Sequence, residues 1–177
     1  MASDWIQTYT GIQFYPTHPE MCDIHILDIA HALAMQCRFA GHVRQFYSVA
    51  EHSVRVSHAC DPEDAMWGLL HDASEAYLGD VTRPLKRDDL MTGYLEAENV
   101  LQAMIARRFW LSPGEPASVK VADEWLLATE ARDLKSPLHP EWVTKWLTFD
   151  PLPEVIVPWS PERAECEFMR RYAQLAA

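Results

Sequence analysis

No stretch of this 177-residue sequence is apolar for the roughly 20 residues that a helical bilayer crossing demands, so a membrane-spanning helix is not expected. The opening residues, MASDWIQTYT, lack both a basic n-region and an apolar h-region, which predicts no secretory signal and a cytoplasmic setting. Cysteine is sparse and scattered: Cys22, Cys37, Cys60 and Cys166 form no C-x-x-C pair. Structural zinc of the usual spacing is therefore not expected, and four buried or half-buried free thiols are. Positive charge is also short, with 15 Lys and Arg against 26 Asp and Glu, a net charge of −11. That balance argues against a nucleic-acid polymer, whose binding relies on many cations neutralising phosphates, and against an anionic membrane surface. A small phosphate ligand needs only a local basic cluster and stays open. Neither a G-x-S-x-G elbow nor a Walker-type glycine loop is present, and no repeat or Gly/Ser linker divides the chain.

What is present is a helical pattern. With 49% hydrophobic residues, residues 1–177 can bury one sizeable core as a single domain. WIQTYTGIQFYP, rich in aromatic and β-branched residues around Thr10-Gly11, predicts a short hairpin or extended arm. LDIAHALAMQCRF has apolar residues at helical spacing from Ile29 to Phe39. Ser48 followed by Glu51 reads as a capping box, the hydroxyl accepting from the Glu51 N–H and the glutamate reaching back to the Ser48 N–H. Asp61-Pro62 reads as the N-cap and N1 of a helix that Gly79 ends. TRPLKRDD is read as a polar connection, followed by helices over roughly residues 93–110 and 117–133, a short EWVTKWLTF piece, and a last helix over roughly 161–175. The fold class expected is an all-α bundle.

One helix end carries the chemistry. In GLLHDASEAYLGD, Leu69 and Leu70 belong to a buried face, and His71, Asp72, Glu75 and Asp80 follow at once. His71 and Glu75 at i and i+4 share a helix face, with Asp72 about 100° around. Burying an unpaired carboxylate costs several kcal/mol, roughly, and a divalent cation is one way to offset that. One more imidazole and one more carboxylate would complete a mixed N/O ligand set suited to Mn, Fe, Co or Zn, and His52 and Asp123 are available on separate helices. Each has an ordinary alternative: His52 as a helix-surface histidine, Asp123 as a first-turn acid. His18, His25, His31, His42, His58 and His139 have no forced role.

The ordered set His52, His71-Asp72, Asp123 resembles the HD-domain phosphohydrolase superfamily. SVAEHS, LLHDASEAYLGDVTRPLK and VADEWLL are similar to segments of bacterial 5′-deoxynucleotidases and of virus-encoded dATP triphosphohydrolases, over roughly residues 25–135. The resemblance implies an HD-type helical bundle in which His52, His71, Asp72 and Asp123 ligate one divalent metal ion (Mn, Co, Zn, Fe or Mg). It implies that Glu75 orients or deprotonates the attacking water and that Asp80 contacts the sugar or assists proton transfer. Asp80 could instead cap the following turn. Lys86 and Arg83 would neutralise phosphate charge. The family arginine that holds the nucleotide matches Arg38, followed here by Phe39 instead of tryptophan, with Arg44 a competing assignment. His42, between them, could contact phosphate or simply face solvent.

The resemblance thus implies a metal-dependent phosphohydrolase releasing phosphate from a deoxynucleoside 5′-monophosphate, or else a triphosphohydrolase releasing tripolyphosphate. A homodimer is implied by resemblance alone. Di-iron redox chemistry would need more histidines between Asp72 and Asp123, and none occurs there. A non-catalytic nucleotide- or partner-binding module is the remaining class. Trp142 and Trp146, at i and i+4, could form a partner face, with core packing the alternative.

Overall fold

The structure is a computed structural model and describes residues 4–177. Its architecture follows from one helix that is buried almost all round. α2 (Val49–Ala59) places Val49, Ala50, Glu51, His52, Ser53, Val54, Val56 and Ser57 out of solvent, so it must be enclosed by other elements. It is packed by α1 (Ile26–Met35), α3 (Ala65–Leu70), α7 (Ala117–Leu134) and α9 (Pro161–Leu175). Two apolar clusters flank it. One joins Ile29, Leu33, Leu69, Leu70, Leu101, Ile105 and Phe168; the other joins Tyr47, Val56, Trp67, Val119, Ala122 and Leu126. The remaining helices are α4 (Glu75–Leu78), α5 (Arg83–Lys86), α6 (Thr92–Arg108) and α8 (Pro140–Trp146). The fold is all-α, as the sequence pattern predicts. No helix among the described residues is long and apolar enough to cross a membrane.

The N-terminal hairpin forms where expected. β1 (Ile6–Gln7) pairs antiparallel with β2 (Gln13–Phe14), and Gly11 turns the chain at φ 89°. The Thr10 N–H and hydroxyl both donate to the Asp28 carboxylate, at 2.7 and 2.9 Å, which pins the hairpin to α1. Phe14 is fully buried and stacks on Tyr77 at 4.1 Å between ring centres.

Four sequence expectations need correction. First, α1 stops at Met35 and does not run to Phe39. Backbone hydrogen bonds from Arg38 N–H to the Tyr47 carbonyl and from Val49 N–H to the Gln36 carbonyl pull Gln36–Cys37 into an extended bridge. Phe39 and Ala40 then turn back at φ 57° and 51°.

Second, the helix expected from Asp61 to Gly79 is in pieces. A 3₁₀ turn, Pro62–Asp64, precedes α3, and the Asp61 side chain makes no cap bond. After Leu70 the ladder tightens to i→i+3 bonds, such as Ala73 N–H to Leu70 O and Glu75 N–H to Asp72 O. Gln102 of α6 causes the break. Its amide donates to the Leu70 carbonyl at 2.7 Å and accepts from the Ser74 N–H at 3.1 Å, taking up the pair that an α-helix would have joined directly. Gly79 ends α4 at φ 85°, its N–H donating to Glu75 O at 2.8 Å.

Third, the polar connection TRPLKRDD contains a helical turn, α5, with Pro84 in its first turn. Fourth, only Cys37 and Cys60 are half-buried or buried, while Cys22 and Cys166 are exposed; all four are free thiols.

Gly68 lets α3 approach α2. A β-carbon there would stand 2.9 Å from Ser57 Cα and 2.8 Å from Cys60 Sγ, closer than such atoms can sit. Ser57 reinforces the contact by donating its hydroxyl to the Ala65 carbonyl at 2.7 Å. Gly68→Ala should therefore force the two helices apart and destabilise the fold by about 1–3 kcal/mol, read from the urea midpoint at unchanged slope. A variant as stable as the parent would show that the approach is not tight.

Candidate metal centre

α2 begins at Ser48, whose hydroxyl accepts from the Glu51 N–H at 3.0 Å. The capping box is only half made. Glu51 turns away from Ser48 and accepts from Arg55 at 2.7 and 3.0 Å and from the Trp159 N–H at 2.7 Å, tying α2 to the segment before α9. One residue on, His52 is fully buried and faces the junction of α3 and α7.

Both imidazoles at that junction have one nitrogen already engaged. His52 Nδ1 lies 2.6 Å from Glu130 Oε1, and His71 Nδ1 lies 2.8 Å from the Gly68 carbonyl oxygen. A carboxylate and a carbonyl only accept, so each Nδ1 carries the proton and each neutral ring turns a bare Nε2 inward. The two Nε2 atoms are 3.2 Å apart. Asp72 Oδ2 stands 3.2 Å from His71 Nε2 and 3.7 Å from His52 Nε2, and Asp123 Oδ1 stands 3.2 Å from His52 Nε2. Four electron-rich atoms thus converge with no donor among them. Ligands about 2.1 Å from one ion stand about 3.0–3.4 Å from each other in octahedral and tetrahedral shells, a range that the three 3.2 Å separations fit and the 3.7 Å one between Asp72 and His52 exceeds. His52, His71 and Asp72 form a donor group able to hold a metal ion, with Asp123 alongside.

Without a cation the site must hold a proton. Burial opposes charge on His71, but the adjacent Asp72 overrides it and lifts the imidazole to about 9. His52 is also raised, Glu130 and Asp123 outweighing burial and Arg38. Burial would push Asp72 and Asp123 up, yet the imidazoles hold both well below the usual carboxylate range.

The other sequence-predicted residues gather around this pole. Arg38 donates to Asp72 Oδ2 at 3.4 Å and to Glu130 Oε2 at 3.3 Å, whereas Arg44 points to the Asp133 carbonyl at an exposed position. Arg38 is therefore the arginine at the site. Arg83 donates to Asp123 Oδ2 at 2.7 Å and to Glu124 at 2.6 Å. Lys86 donates to Glu75 Oε1 at 3.0 Å and to Glu98 at 2.6 Å. Because the chain tightens after Leu70, Glu75 does not stand beneath His71 within ion-pair reach, as an unbroken helix would put it; it pairs with Lys86. Its Oε2 is buried without a partner, and burial with Asp72 and Asp80 pushes its carboxyl well up. Asp80 does not cap α5. Its N–H donates to Gln36 Oε1 at 3.0 Å, and its carboxylate, raised by burial, borders a cleft.

That cleft, of about 400 Å³, is lined by Arg38, Asp72, Glu75, Asp80, Lys86 and Asp123, with His42 also on its border and exposed. Trp142 and Trp146 line it too, so the face they share on α8 is neither plain core nor outer surface.

Glu130 was not expected from the sequence. It is fully buried and binds His52, Tyr47 and Arg38 at once, the Tyr47 hydroxyl donating at 3.0 Å. The available signal was its place seven residues after Asp123, two turns along the same helix face. The first-turn reading of Asp123 fails because α7 starts at Ala117. Replacing Glu130 by Ala strands a buried arginine, a tyrosine hydroxyl and an imidazole N–H, and should cost about 3–5 kcal/mol in chemical unfolding. A cost below about 1 kcal/mol would mean that the three groups find other partners.

No family model matches the chain. It is 40% identical over 174 residues to YfdR, an uncharacterized protein of Escherichia coli, covering 97% of this chain and 96% of that protein. It is 37% identical over 131 residues to an uncharacterized protein of Rhodobacter capsulatus, covering 69% and 66%.

Proposed function

The chain belongs to the family of YfdR, and we propose that it is a metal-dependent phosphohydrolase acting on deoxynucleoside 5′-phosphates, releasing phosphate from a monophosphate. The observation that carries this reading is the pair of imidazole Nε2 atoms facing each other at 3.2 Å beside two carboxylates, a set that a divalent cation would satisfy. The resemblance of SVAEHS, LLHDASEAYLGDVTRPLK and VADEWLL to HD-domain phosphohydrolases agrees with it. A cation held by His52, His71, Asp72 and Asp123 would polarise a phosphoryl oxygen and lower the pKa of a coordinated water, as Mn, Co, Zn or Fe do in mixed imidazole and carboxylate sites. Mg prefers oxygen ligands and suits the set less well.

The side chains around the pole divide the remaining work. Glu75 has one oxygen held by Lys86 and the other without a partner, and its carboxyl is pushed up by burial, so it serves the attacking water. Asp80, steadied through its N–H by Gln36, faces the cleft and serves the sugar or the leaving oxygen. Neither serine nor cysteine lines the cleft, and this reading takes water as the nucleophile.

Charge favours a monophosphate over a triphosphate. Arg38, Arg83 and Lys86 are each already held by two carboxylates, and of the cleft's lysines and arginines only Lys135 has no carboxylate partner among the described residues. A triphosphate would require these pairs to break before its extra charge could be met.

The expected result is phosphate release from deoxynucleoside 5′-monophosphates in a panel of ribo and deoxy mono- and triphosphates assayed with Mn, Co, Zn or Mg. Asp72→Ala should abolish it with helicity retained by circular dichroism. A metal-independent, active Asp72→Ala protein would refute the mechanism, and tripolyphosphate as product would refute the monophosphate reading.

Metal loading should also displace a proton. His71 stays protonated up to about pH 9 in the metal-free chain, so apparent affinity for Zn or Mn should rise as pH rises toward 9. Calorimetry in buffers of different ionisation enthalpy should find about one proton released per ion at pH 7. An affinity independent of pH between 6 and 9 would contradict ligation by His71.

A further inference from the structure

The cleft continues past the acidic pole into an aromatic region. The Arg38 guanidinium lies 5.3 Å from the Phe39 ring centre, and the Lys135 ammonium lies 4.1 Å from that ring and 5.3 Å from the Trp142 ring. Contacts thus step from Asp72 through Arg38 and Phe39 to Lys135 and Trp142. Trp142 and Trp146 stand at i and i+4 on α8 and both border the cleft, with Leu127 and Val81 beside them. Trp146 is fixed: it is 8% exposed and has the Arg87 guanidinium 4.5 Å from its ring. Trp142 is half-buried, so part of an indole faces the cleft's interior.

Metal ligation needs neither Phe39 nor the tryptophans of α8. A half-buried indole, that of Trp142, inside a small-molecule-sized cleft suits a flat ring, since rings stack on indole faces and the cleft volume falls within the about 300–1,000 Å³ of ordinary ligand pockets. Lys135 adds a donor at the edge of this surface, suited to the ring nitrogens and carbonyls of a heterocycle. No asparagine, glutamine or carboxylate accompanies it on the aromatic wall formed by Phe39, Trp142 and Trp146.

We infer that Trp142 presents the stacking face of a subsite for a nucleobase, with α8 as its wall and Phe39 and Lys135 at its rim, while the phosphate of the same ligand reaches the pole of His52, His71, Asp72 and Asp123. The inference rests on the phosphohydrolase reading for the reaction, but not for ring binding.

The decisive comparison is a deoxynucleoside 5′-monophosphate against deoxyribose 5-phosphate, which has the same phosphate and sugar without the ring. Base stacking on an aromatic side chain contributes enough that Trp142→Ala should lower the ratio of the two kcat/KM values about tenfold, mainly through the nucleotide's KM. Trp142→Phe should restore most of it. A ratio within one variant does not depend on how much of the protein is folded. A ratio unchanged in Trp142→Ala would overturn the subsite. If neither ester is hydrolysed with any metal, the phosphohydrolase reading fails by itself, and the subsite is then judged by direct titration with free deoxyadenosine, followed by tryptophan fluorescence and calorimetry. Binding lost in Trp142→Ala and regained in Trp142→Phe supports the subsite. Absence of binding, or binding equal in all three proteins, overturns it.

Discussion

Two neutral imidazoles cannot turn their lone pairs toward each other at 3.2 Å, beside two carboxylates, unless something positive lies between them or one of them is protonated. Much of the structure holds them there. Glu130 and the Gly68 carbonyl fix the outer nitrogens, so neither ring can present a proton inward by changing tautomer at no cost. Gly68, lacking a side chain, allows α3 to lie close to α2, and the Ser57 hydroxyl bridges the two helices. His52 is then reached by His71 and Asp72 from the turn after α3 and by Asp123 from α7. The core clusters on either side of α2 supply the burial that makes such charges interact strongly.

A second layer of ion pairs surrounds the pole. Arg38, Arg83 and Lys86 hold Asp72, Asp123 and Glu75 respectively, so the acidic groups are balanced locally even in a chain of net charge −11. These cations therefore act first on the protein's own carboxylates and only secondarily on a ligand. Lys135 makes no ion pair in that network among the described residues and contacts the Phe39 and Trp142 rings instead.

The helical class and the hairpin around Gly11 were legible because each rests on local signals, periodicity and turn chemistry; His52, His71, Asp72 and Asp123 were singled out as a set through their resemblance to HD-domain proteins. The interrupted helix after Leu70 was not legible. Its cause is Gln102, distant in sequence, whose side chain substitutes for a backbone hydrogen bond. The same break moved Glu75 from the face of His71 to Lys86. Glu130 was missed for a different reason: one acid among the several charged residues of α7 shows no partner until Arg38, Tyr47 and His52 arrive from other elements.

By itself, the sequence offered His52, His71, Asp72 and Asp123 as groups able to ligate a cation, since ligand chemistry is a property of residue type, and it put all four on helices, whereas His71 and Asp72 lie in the turn after α3. Only the tertiary structure decided that Arg38 and not Arg44 meets the carboxylates, that Asp80 faces a cleft instead of capping a turn, and that Trp142 and Trp146 wall it. Those outcomes depend on where separate helices meet, and that is set by close approach at Gly68 and by burial, which no local pattern encodes.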